Sequence, residues 1–266
     1  HRVERIRRYV DKLFIIFPFE VEYFARRGID AVYEGNPLMD AIAERCAAMP
    51  PREEFFRANG FGARSVIALL AGSRRSEVRN NLPFMAALAE LMPEYDFVLA
   101  AVPWLDRELY GELLAGSRII CLYDKTYEIV RYADAAVVTS GTATLETALI
   151  GTPEVVCYRT DALTVWAGRR LLKIPYISLV NLVMGREVVK ELIQQEMTPE
   201  RAAEELRAIL PGGGQRERML ADYDALRKRI GGPGASERVA ARMVALLKGE
   251  KAPRPTEREQ ENGGAK

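Results

Sequence analysis

The sequence predicts an α/β protein whose strands form a mainly parallel, doubly wound sheet. Short runs of β-branched residues alternate with amphipathic segments in which apolar residues recur at helical spacing. A turn signal of glycine, proline or small polar residues follows each run. This alternation is typical of consecutive βα units, which place their strands side by side and parallel.

Residues 1–49 contain two such units. We predict strands at 13–17 and Ala31–Tyr33, a helix opened by Pro18 after the first strand, and a helix after Pro37. Proline is favourable in the first turn of a helix. Two units are too few to stand alone, so we expect residues 1–49 to belong to a domain of which this chain holds only a part.

A polar, irregular stretch at 50–64 predicts a linker, and a complete doubly wound Rossmann-like domain is predicted at 65–248. Its helices after the last strand are expected at Pro199–Ile209, 215–230 and 236–247. Residues 249–266 have no large apolar side chain, so we predict a disordered tail. The predicted strands of the domain are Val66–Leu70, 97–102, 118–122, 135–138, Glu154–Tyr158 and 176–179.

Composition excludes several kinds of protein. With 38 basic and 37 acidic side chains, no overall charge draws the chain to nucleic acid. The single histidine, His1, excludes a Ser-His-Asp triad and any site of several histidines within the chain. No phosphate loop of the Gly-x-x-x-x-Gly-Lys-Ser/Thr type is present, nor is Gly-x-Gly-x-x-Gly after a strand. ATPases and dinucleotide oxidoreductases are therefore disfavoured.

Other features of the sequence concern its compartment, membrane spans, the start of the chain and metal binding. Three widely spaced cysteines fit a reducing compartment, and no apolar run approaches the roughly 18 residues of a spanning helix. The chain opens on His1 within a basic stretch, which suggests a cut in a longer protein. The pair Asp222 and Asp224 has the Asp-x-Asp form of metal-dependent sugar transferases, but its basic surroundings favour a solvated helix face. We predict no metal site and no cofactor.

Ligands of open parallel sheets bind at the carboxyl ends of the strands, and three predicted strand ends carry unusual residues. The strand Val66–Leu70 is followed by Gly72, Ser73 and Arg74, with Glu77 one helical turn later. Glycine permits close backbone approach, and the arginine fork suits phosphate. An ordinary helix-opening turn explains these residues equally well.

The second strand end is rich in small hydroxyl residues that open a helix. A helix N-terminus presents free amides and the positive end of the helix dipole to an anion. One cap needs only one hydroxyl, so the group predicts a binding role beyond a capping box. Its members are Ser140, Gly141, Thr142, Ala143, Thr144 and Glu146.

The third strand end follows the predicted strand 176–179. Asn181 is expected in its loop, and Arg186 and Glu187 are expected to open a helix at 188–194. A carboxylate there would accept both hydroxyls of a ribose, each bond contributing about 1.5 to 3 kcal/mol. Stabilisation of the helix dipole is the alternative role of Glu187. Together the three turns predict a nucleotide diphosphate site.

The same turns carry a resemblance to a known family. The strings are Leu-Leu-Ala-Gly-Ser-Arg at 69–74, Ser-Gly-Thr-Ala-Thr-Leu-Glu at 140–146, and Ser-Leu-Val-Asn-Leu at 178–182 with Gly-Arg-Glu-Val-Val-Lys-Glu-Leu at 185–192. In order and spacing the chain resembles lipid-A-disaccharide synthase from residue 10 to about residue 210. Several sugar transferases of the two-domain GT-B type share the second string, whereas the third is specific to this family.

The resemblance implies a GT-B glycosyltransferase (hexosyltransferase) of lipid A and lipopolysaccharide biosynthesis. It implies inverting transfer of 2,3-diacylglucosamine from UDP to the 6-hydroxyl of 2,3-diacylglucosamine 1-phosphate, without a required metal. The implied setting is the bacterial cytoplasm, peripheral on the inner membrane. Residues 1–49 are implied to be the end of the N-terminal (acceptor) Rossmann-like domain, in which the general base is expected. Asn181 is the implied catalytic contact. The implied UDP-sugar contacts are Gly72, Ser73, Arg74, Ser140, Gly141, Thr142, Ala143, Thr144, Glu146, Arg159, Asn181, Arg186 and Glu187.

Alternatives remain open at this point. Residues 161–173 combine an apolar face, Trp166 and a basic end, which suits either a lipid surface or a core helix with a solvated basic face. Another GT-B UDP-sugar enzyme, such as a UDP-N-acetylglucosamine epimerase or a cell-wall precursor transferase, would share the second string. A non-catalytic nucleotide-binding module is a further alternative. With most of the N-terminal domain missing, the chain alone is expected to be inactive, and a homodimer is left open.

Overall fold

The chain forms two units in its structure, a computed structural model that describes residues 2–139, 141–159 and 176–249. One unit comprises the residues up to Asp40 and those from Ile230 onward, and the other comprises Ala41–Arg229. Residues 250–266 of the tail predicted at 249–266 lie outside the described residues, and so do Ser140 and the segment 161–173.

The first unit is built around a two-stranded parallel sheet. Its elements are α1 (Arg2–Tyr9), β1 (Leu13–Ile15), α2 (Phe19–Ala25), β2 (Ala31–Tyr33), the start of α3 (Leu38–Ala47) and α12 (Ala235–Leu247). The strands pair in parallel with Phe14 opposite Val32. Both predicted strands of this segment and the helix that follows each one are therefore confirmed.

Helix α12 groups with this first unit, although the sequence analysis assigned it to the second domain. Asp40 accepts a hydrogen bond from the backbone N–H of Ser236 at 2.8 Å. Arg238 donates from Nε to the carbonyl of Glu34 at 3.0 Å. These bonds join residues about 200 positions apart in sequence, which local periodicity does not reveal.

The second unit is a doubly wound domain. Its parallel sheet has the strand order β5-β4-β3-β6-β7-β8, which is the 3-2-1-4-5-6 order of a Rossmann fold when counted within the unit. Every residue of β3 and β6 is buried, as expected for central strands covered by helices on both faces. The strands are β3 (Val66–Leu70), β4 (Asp96–Ala101), β5 (Ile120–Tyr123), β6 (Ala135–Thr139), β7 (Glu154–Tyr158) and β8 (Lys190–Ile193).

The helices of the second unit cover both faces of this sheet. Pro199 at the N-terminus of its helix and Thr198 as its cap match the predicted start. No helix in the described ranges is long and apolar enough to cross a membrane. The helices are α4 (Arg52–Ala58), α5 (Arg75–Leu91), α6 (Arg107–Leu114), α7 (Thr126–Tyr132), α8 (Thr142–Ile150), α9 (Leu179–Met184), α10 (Pro199–Ile209) and α11 (Arg216–Ile230).

The predicted linker at 50–64 contains helix α4. Phe55 and Phe56 are buried, and their rings pack against each other and against Phe61. Tyr132 donates its hydroxyl to the carbonyl of Pro50 at 2.5 Å. The prediction of an irregular segment was wrong because two adjacent aromatic residues in polar sequence show no helical periodicity.

The last predicted strand and the helix after it were also wrong. The structure has a helix, α9, at Leu179–Met184 and a strand, β8, at Lys190–Ile193. Ser178 caps α9, and Gly185 ends it with a φ of 69°. The following residues then add to the free edge of β7, with Val155 opposite Lys190. Short apolar runs such as these do not distinguish helix from strand by periodicity.

Candidate functional site

A cleft of about 430 Å³ lies at the carboxyl ends of β3, β4 and β6. The order of the strands reverses between β3 and β6, and ligands of doubly wound sheets bind at this switch point. Most of the residues predicted in the first two turns line this one cleft. They are Gly72, Ser73, Arg74, Gly141, Thr142, Ala143 and Glu146.

The turn after β3 is held by Glu77. Its carboxylate accepts the backbone N–H groups of Ser73 at 2.9 Å and Arg74 at 3.2 Å, and the Arg74 guanidinium at 2.5 Å. Partial burial opposes ionisation, but these donors together hold the pKa of Glu77 below its usual value. Gly72 has a φ of 113°, and a Cβ there would lie 2.5 Å from the Cβ of Glu77. The turn is therefore both a helix cap and one wall of the cleft.

The turn after β6 brings a helix N-terminus to the cleft. Gly141 precedes α8 with a φ of 141°, a backbone conformation that favours glycine. Thr142 and Ala143 line the cleft in the first turn of α8, where amides have no partner within the helix. Thr144 is instead buried, and its hydroxyl donates to the carbonyl of Gly141 at 2.9 Å. Thr144 therefore shapes the turn and does not face the cleft.

A buried amide fixes the spacing of the two turns. Asn81 of α5 donates to the carbonyl of Ala71 at 3.0 Å and to the hydroxyl of Thr139 at 3.2 Å. Thr139 in turn donates to the carbonyl of Leu70 at 2.9 Å. These bonds tie the ends of β3 and β6 together beneath the cleft. The sequence analysis missed Asn81, because a single asparagine inside a helix gives no signal of this contact.

The cleft is also lined by Trp104, Thr126 and Tyr127, which the sequence analysis missed as well. Their position shortly after β4 and β5 is the feature of the sequence that could have identified them. Tyr127 donates its hydroxyl to Glu146 at 2.7 Å. Burial, reinforced by this carboxylate, raises the pKa of Tyr127 above its usual value, so the phenol stays protonated at neutral pH. A neutral phenol thus holds the Glu146 carboxylate at the side of the cleft.

Asn181 lies in helix α9 and not in a strand-end loop as predicted. Its side chain is fully buried. The amide nitrogen donates to the carbonyl of Val189 and to Glu191, both at 2.9 Å. The amide oxygen accepts the N–H groups of Val188 at 2.7 Å and Val189 at 3.0 Å. These bonds assign Asn181 to holding the turn that leads into β8.

Arg186 and Glu187 lie before the first residue of β8, at the amino end of the parallel sheet. Glu187 lines a second cavity, of about 270 Å³, together with Glu154 at the start of β7. A strand of four or five residues spans about 13 to 16 Å. This cavity and the cleft lie at opposite ends of the strands, so roughly one strand length separates them. Arg186 forms a bidentate ion pair with Asp222, at 2.6 and 2.8 Å. The predicted helix opening at Glu187 is therefore wrong, and the structure does not bring Glu187 to the other predicted residues.

Arg159 follows β7 at the carboxyl edge, and it donates from Nη2 to the carbonyl of Met197 at 2.9 Å. Asp222, the first residue of the Asp-x-Asp sequence, is bound by Arg186, and Asp224 pairs with Arg227 at 2.6 Å. Within the described ranges, no group of three or more acidic, histidine or cysteine side chains is arranged to hold a metal ion.

Comparisons with known proteins place this chain in a family. A solved UDP-GlcNAc 2-epimerase from Neisseria meningitidis, bound to UDP-GlcNAc, aligns with 88% of this chain and 60% of its own, at a TM-score of 0.58 and 15% identity. This likeness shows a shared fold. The lipid-A-disaccharide synthase of Myxococcus xanthus is 39% identical over 252 residues, covering 92% of this chain and 65% of that protein.

The lipid-A-disaccharide synthase of Syntrophus aciditrophicus is also 39% identical, over 259 residues, covering 93% of this chain and 66% of that protein. The chain thus spans just under two thirds of the length of these curated relatives. A family model described as lipid-A-disaccharide synthetase matches residues 1–241. Because this match covers most of the sequence and both relatives share more than a third of its residues, the chain belongs to the lipid-A-disaccharide synthetase family.

Proposed function

We propose that this chain is the UDP-sugar-binding part of a lipid-A-disaccharide synthase. The full enzyme would transfer 2,3-diacylglucosamine from UDP to the 6-hydroxyl of 2,3-diacylglucosamine 1-phosphate, with inversion at the anomeric carbon. Family membership supports the reaction. The observation that carries the proposal is the meeting of a glycine turn and a helix N-terminus in one cleft at the switch point of the sheet.

The diphosphate is proposed to lie against the N-terminus of α8. Free amides and the positive end of the helix dipole favour a negative charge there. Arg74 faces the same cleft, and three quarters of its side chain is exposed, so its guanidinium is accessible to a phosphate oxygen. Gly72 lets the ligand approach the backbone of the facing turn.

The ribose is proposed to bind Glu146. This carboxylate lines the cleft on the first turns of α8, and Tyr127 holds one of its oxygens at 2.7 Å. Vicinal hydroxyls are matched by a fixed carboxylate, which accepts both as charge-assisted hydrogen bonds. Glu187, to which the resemblance gave a UDP-sugar role, lies at the other end of the sheet. We therefore assign the ribose to Glu146.

The groups of the cleft would act on the departing nucleotide. As the acceptor oxygen bonds to the anomeric carbon, the bond to UDP breaks and negative charge grows on the diphosphate. Fixed amides and Arg74 would stabilise that charge without a metal. Glu77 is paired with Arg74, and Glu146 is assigned to the ribose, so we assign neither as the general base. The general base is proposed to belong to the part of the relatives that this chain does not span.

The expected setting follows from the substrates. Both sugars carry acyl chains, so the reaction is proposed to take place on the cytoplasmic face of a bacterial inner membrane, with the enzyme peripheral to it. The segment 161–173, for which the sequence analysis left a lipid contact open, lies outside the described residues.

Calorimetry with UDP on this chain tests the site with two matched variants. Glu146→Gln is expected to weaken UDP binding by about 1 to 3 kcal/mol, because a charged acceptor is lost. Glu187→Gln makes the same chemical change at the amino end of the sheet and should leave UDP affinity unchanged. The opposite pattern would assign ribose binding to Glu187. A folded chain that binds no UDP would refute the nucleotide site.

The reaction itself is tested on a full-length family enzyme that contains this chain. Disaccharide formation from the two diacylated sugars supports the synthase. Epimerisation of UDP-N-acetylglucosamine by the same preparation, without disaccharide, would instead favour an epimerase of the same fold. UDP binding without either reaction would favour the alternative of a non-catalytic nucleotide-binding module.

A further inference from the structure

Trp104 stands at the rim of the cleft with an unusual exposure. It lies in the turn between β4 and α6, and 67% of its surface is accessible. Leu91, the other strongly exposed large hydrophobic residue described in the second unit, is 44% accessible and lies at the far end of α5. A single exposed hydrophobic side chain is normal on a protein surface. Trp104 differs because it lines the cleft.

The indole is fixed in this exposed position. Its Nε1 donates to the carbonyl of Ser73 at 3.0 Å, so the polar atom of the ring is already bound to the turn after β3. Arg75 and Asp106 form an ion pair at 2.7 Å between the same two turns. Trp104 therefore presents ring carbon atoms to a ligand and keeps its only donor for the protein. Such a surface suits an apolar group better than a phosphate or a hydroxyl.

The size of the cleft indicates which part of the donor meets this surface. Pockets of about 300 to 1,000 Å³ enclose one drug-sized ligand, and this cleft of about 430 Å³ lies in the lower part of that range. A nucleotide diphosphate uses most of such a volume. Acyl chains attached to the sugar must then leave the cleft across its rim. Contact between an acyl chain and exposed apolar surface there removes both from water, which is favourable.

We propose that Trp104 is a specificity-determining residue that packs against an acyl chain of the donor. The inference rests on the proposed function and adds to it the residue that distinguishes an acylated UDP-sugar from an unacylated one. The diphosphate and ribose contacts would be common to both donors. Discrimination would come from the exposed indole ring.

Fluorescence of a single-tryptophan protein gives a direct readout. The sequence contains Trp104 and Trp166, so Trp166→Phe leaves Trp104 as the reporter. UDP-2,3-diacylglucosamine should shift the emission of Trp104 to shorter wavelength, because the acyl chain removes water from the ring. UDP and UDP-N-acetylglucosamine should leave the emission nearly unchanged. A purely structural role of Trp104 would give no shift that depends on acylation.

Binding measurements on the otherwise unaltered chain supply the second readout. Trp104→Ala should weaken binding of UDP-2,3-diacylglucosamine about tenfold or more, which corresponds to about 1.4 kcal/mol, and should change UDP affinity less than about threefold. Trp104→Phe keeps an aromatic surface and should retain most of the preference. Leu91→Ala, an exposed position away from the cleft, is the matched control and should change neither affinity.

The outcomes separate this inference from the proposed function. If UDP binds but the preference for the acylated donor survives Trp104→Ala, the inference is wrong and the nucleotide site stands. An equal emission shift with UDP alone would assign Trp104 to the nucleotide and would also overturn it. If the folded chain binds no UDP, the proposed function fails and the inference fails with it.

Discussion

Glu154, the first residue of β7, is a fully buried carboxyl group. Neither of its oxygens has a hydrogen-bond partner among the described residues. Burial raises the pKa of Glu154 well above its usual value of 4.5, since a buried charge without a partner is very unfavourable. The side chain is therefore protonated in the folded state at pH values where it ionises in the unfolded chain.

This residue predicts a fall in stability as the pH rises. Between the unfolded pKa of about 4.5 and the raised folded pKa, the folded state binds more protons than the unfolded state. The free energy of unfolding should then decrease by up to about 1.4 kcal/mol per pH unit across that window. Glu154→Gln removes the titration, so urea denaturation from pH 5 to pH 8 should show a flatter profile for the variant.

The control for this prediction is Glu204→Gln on helix α10, where the side chain is exposed. It should reproduce the pH dependence of the unaltered chain. If Glu154→Gln also reproduces it, then Glu154 is solvated or paired in solution and the assignment of a buried, neutral acid is wrong.

At the scale of elements, the segment from α9 to β8 depends on one side chain. Asn181 satisfies the amides of Val188 and Val189 and bonds to Glu191, which in turn accepts the N–H groups of Ile177 and Ser178. The short helix and the edge strand are thus joined through a shared set of buried hydrogen bonds. Loss of one member leaves several buried polar groups without partners.

Asn181→Ala is therefore expected to lower the free energy of unfolding by about 2 to 4 kcal/mol while changing UDP affinity little. Urea denaturation and calorimetry measure the two quantities on the same samples. Asn59→Ala removes a single partly buried hydrogen bond, to the carbonyl of Phe55, and should cost only about 1 kcal/mol. A stable Asn181→Ala variant that loses turnover in the full enzyme would instead place Asn181 at the departing sugar.

The same segment shows where prediction from the sequence fails. The strands β3, β4, β6 and β7 were predicted within one residue at each end, because central parallel strands are continuous apolar runs bounded by turns. The edge strand β8 was predicted as a helix, since its pairing depends on β7 and not on its own periodicity. The expected position at the carboxyl end of a strand was therefore correct for Gly72 and Thr142, whereas Glu187 lies at the amino end of the sheet.

Side-chain contacts could not be predicted from the sequence for a different reason. Glu146 was predicted among the residues of the helix opening, but its bond to Tyr127 joins two elements 19 residues apart. The cross-link through Asn81 and Thr139 spans 58 residues. Such contacts follow from the order of the strands in the sheet, which no single turn specifies. The residue types of the cleft could be predicted, whereas the placement of Glu146 in the cleft and of Glu187 in a second cavity required the fold.

At the scale of the whole molecule, ligand binding should stabilise one unit and not the other. Every residue of the cleft belongs to the second unit. A ligand that binds only the folded state adds about 2.7 kcal/mol at 100 times its Kd. For a unit of this size each kcal/mol raises Tm by roughly 2 to 4 °C. UDP at that concentration is therefore expected to raise the Tm of the second unit by about 5 to 10 °C.

Differential scanning calorimetry measures this shift and also tests how the two units unfold. If they unfold in separate transitions, UDP should move only the transition that contains the six-stranded sheet. Uridine, which lacks the diphosphate, should give a smaller shift at equal concentration, because the N-terminus of α8 and Arg74, which both line the cleft, are proposed to bind the phosphate charge. An equal effect of uridine and UDP would show that the cleft recognises the nucleoside alone, and the role proposed for the two turns in holding the diphosphate would then be wrong.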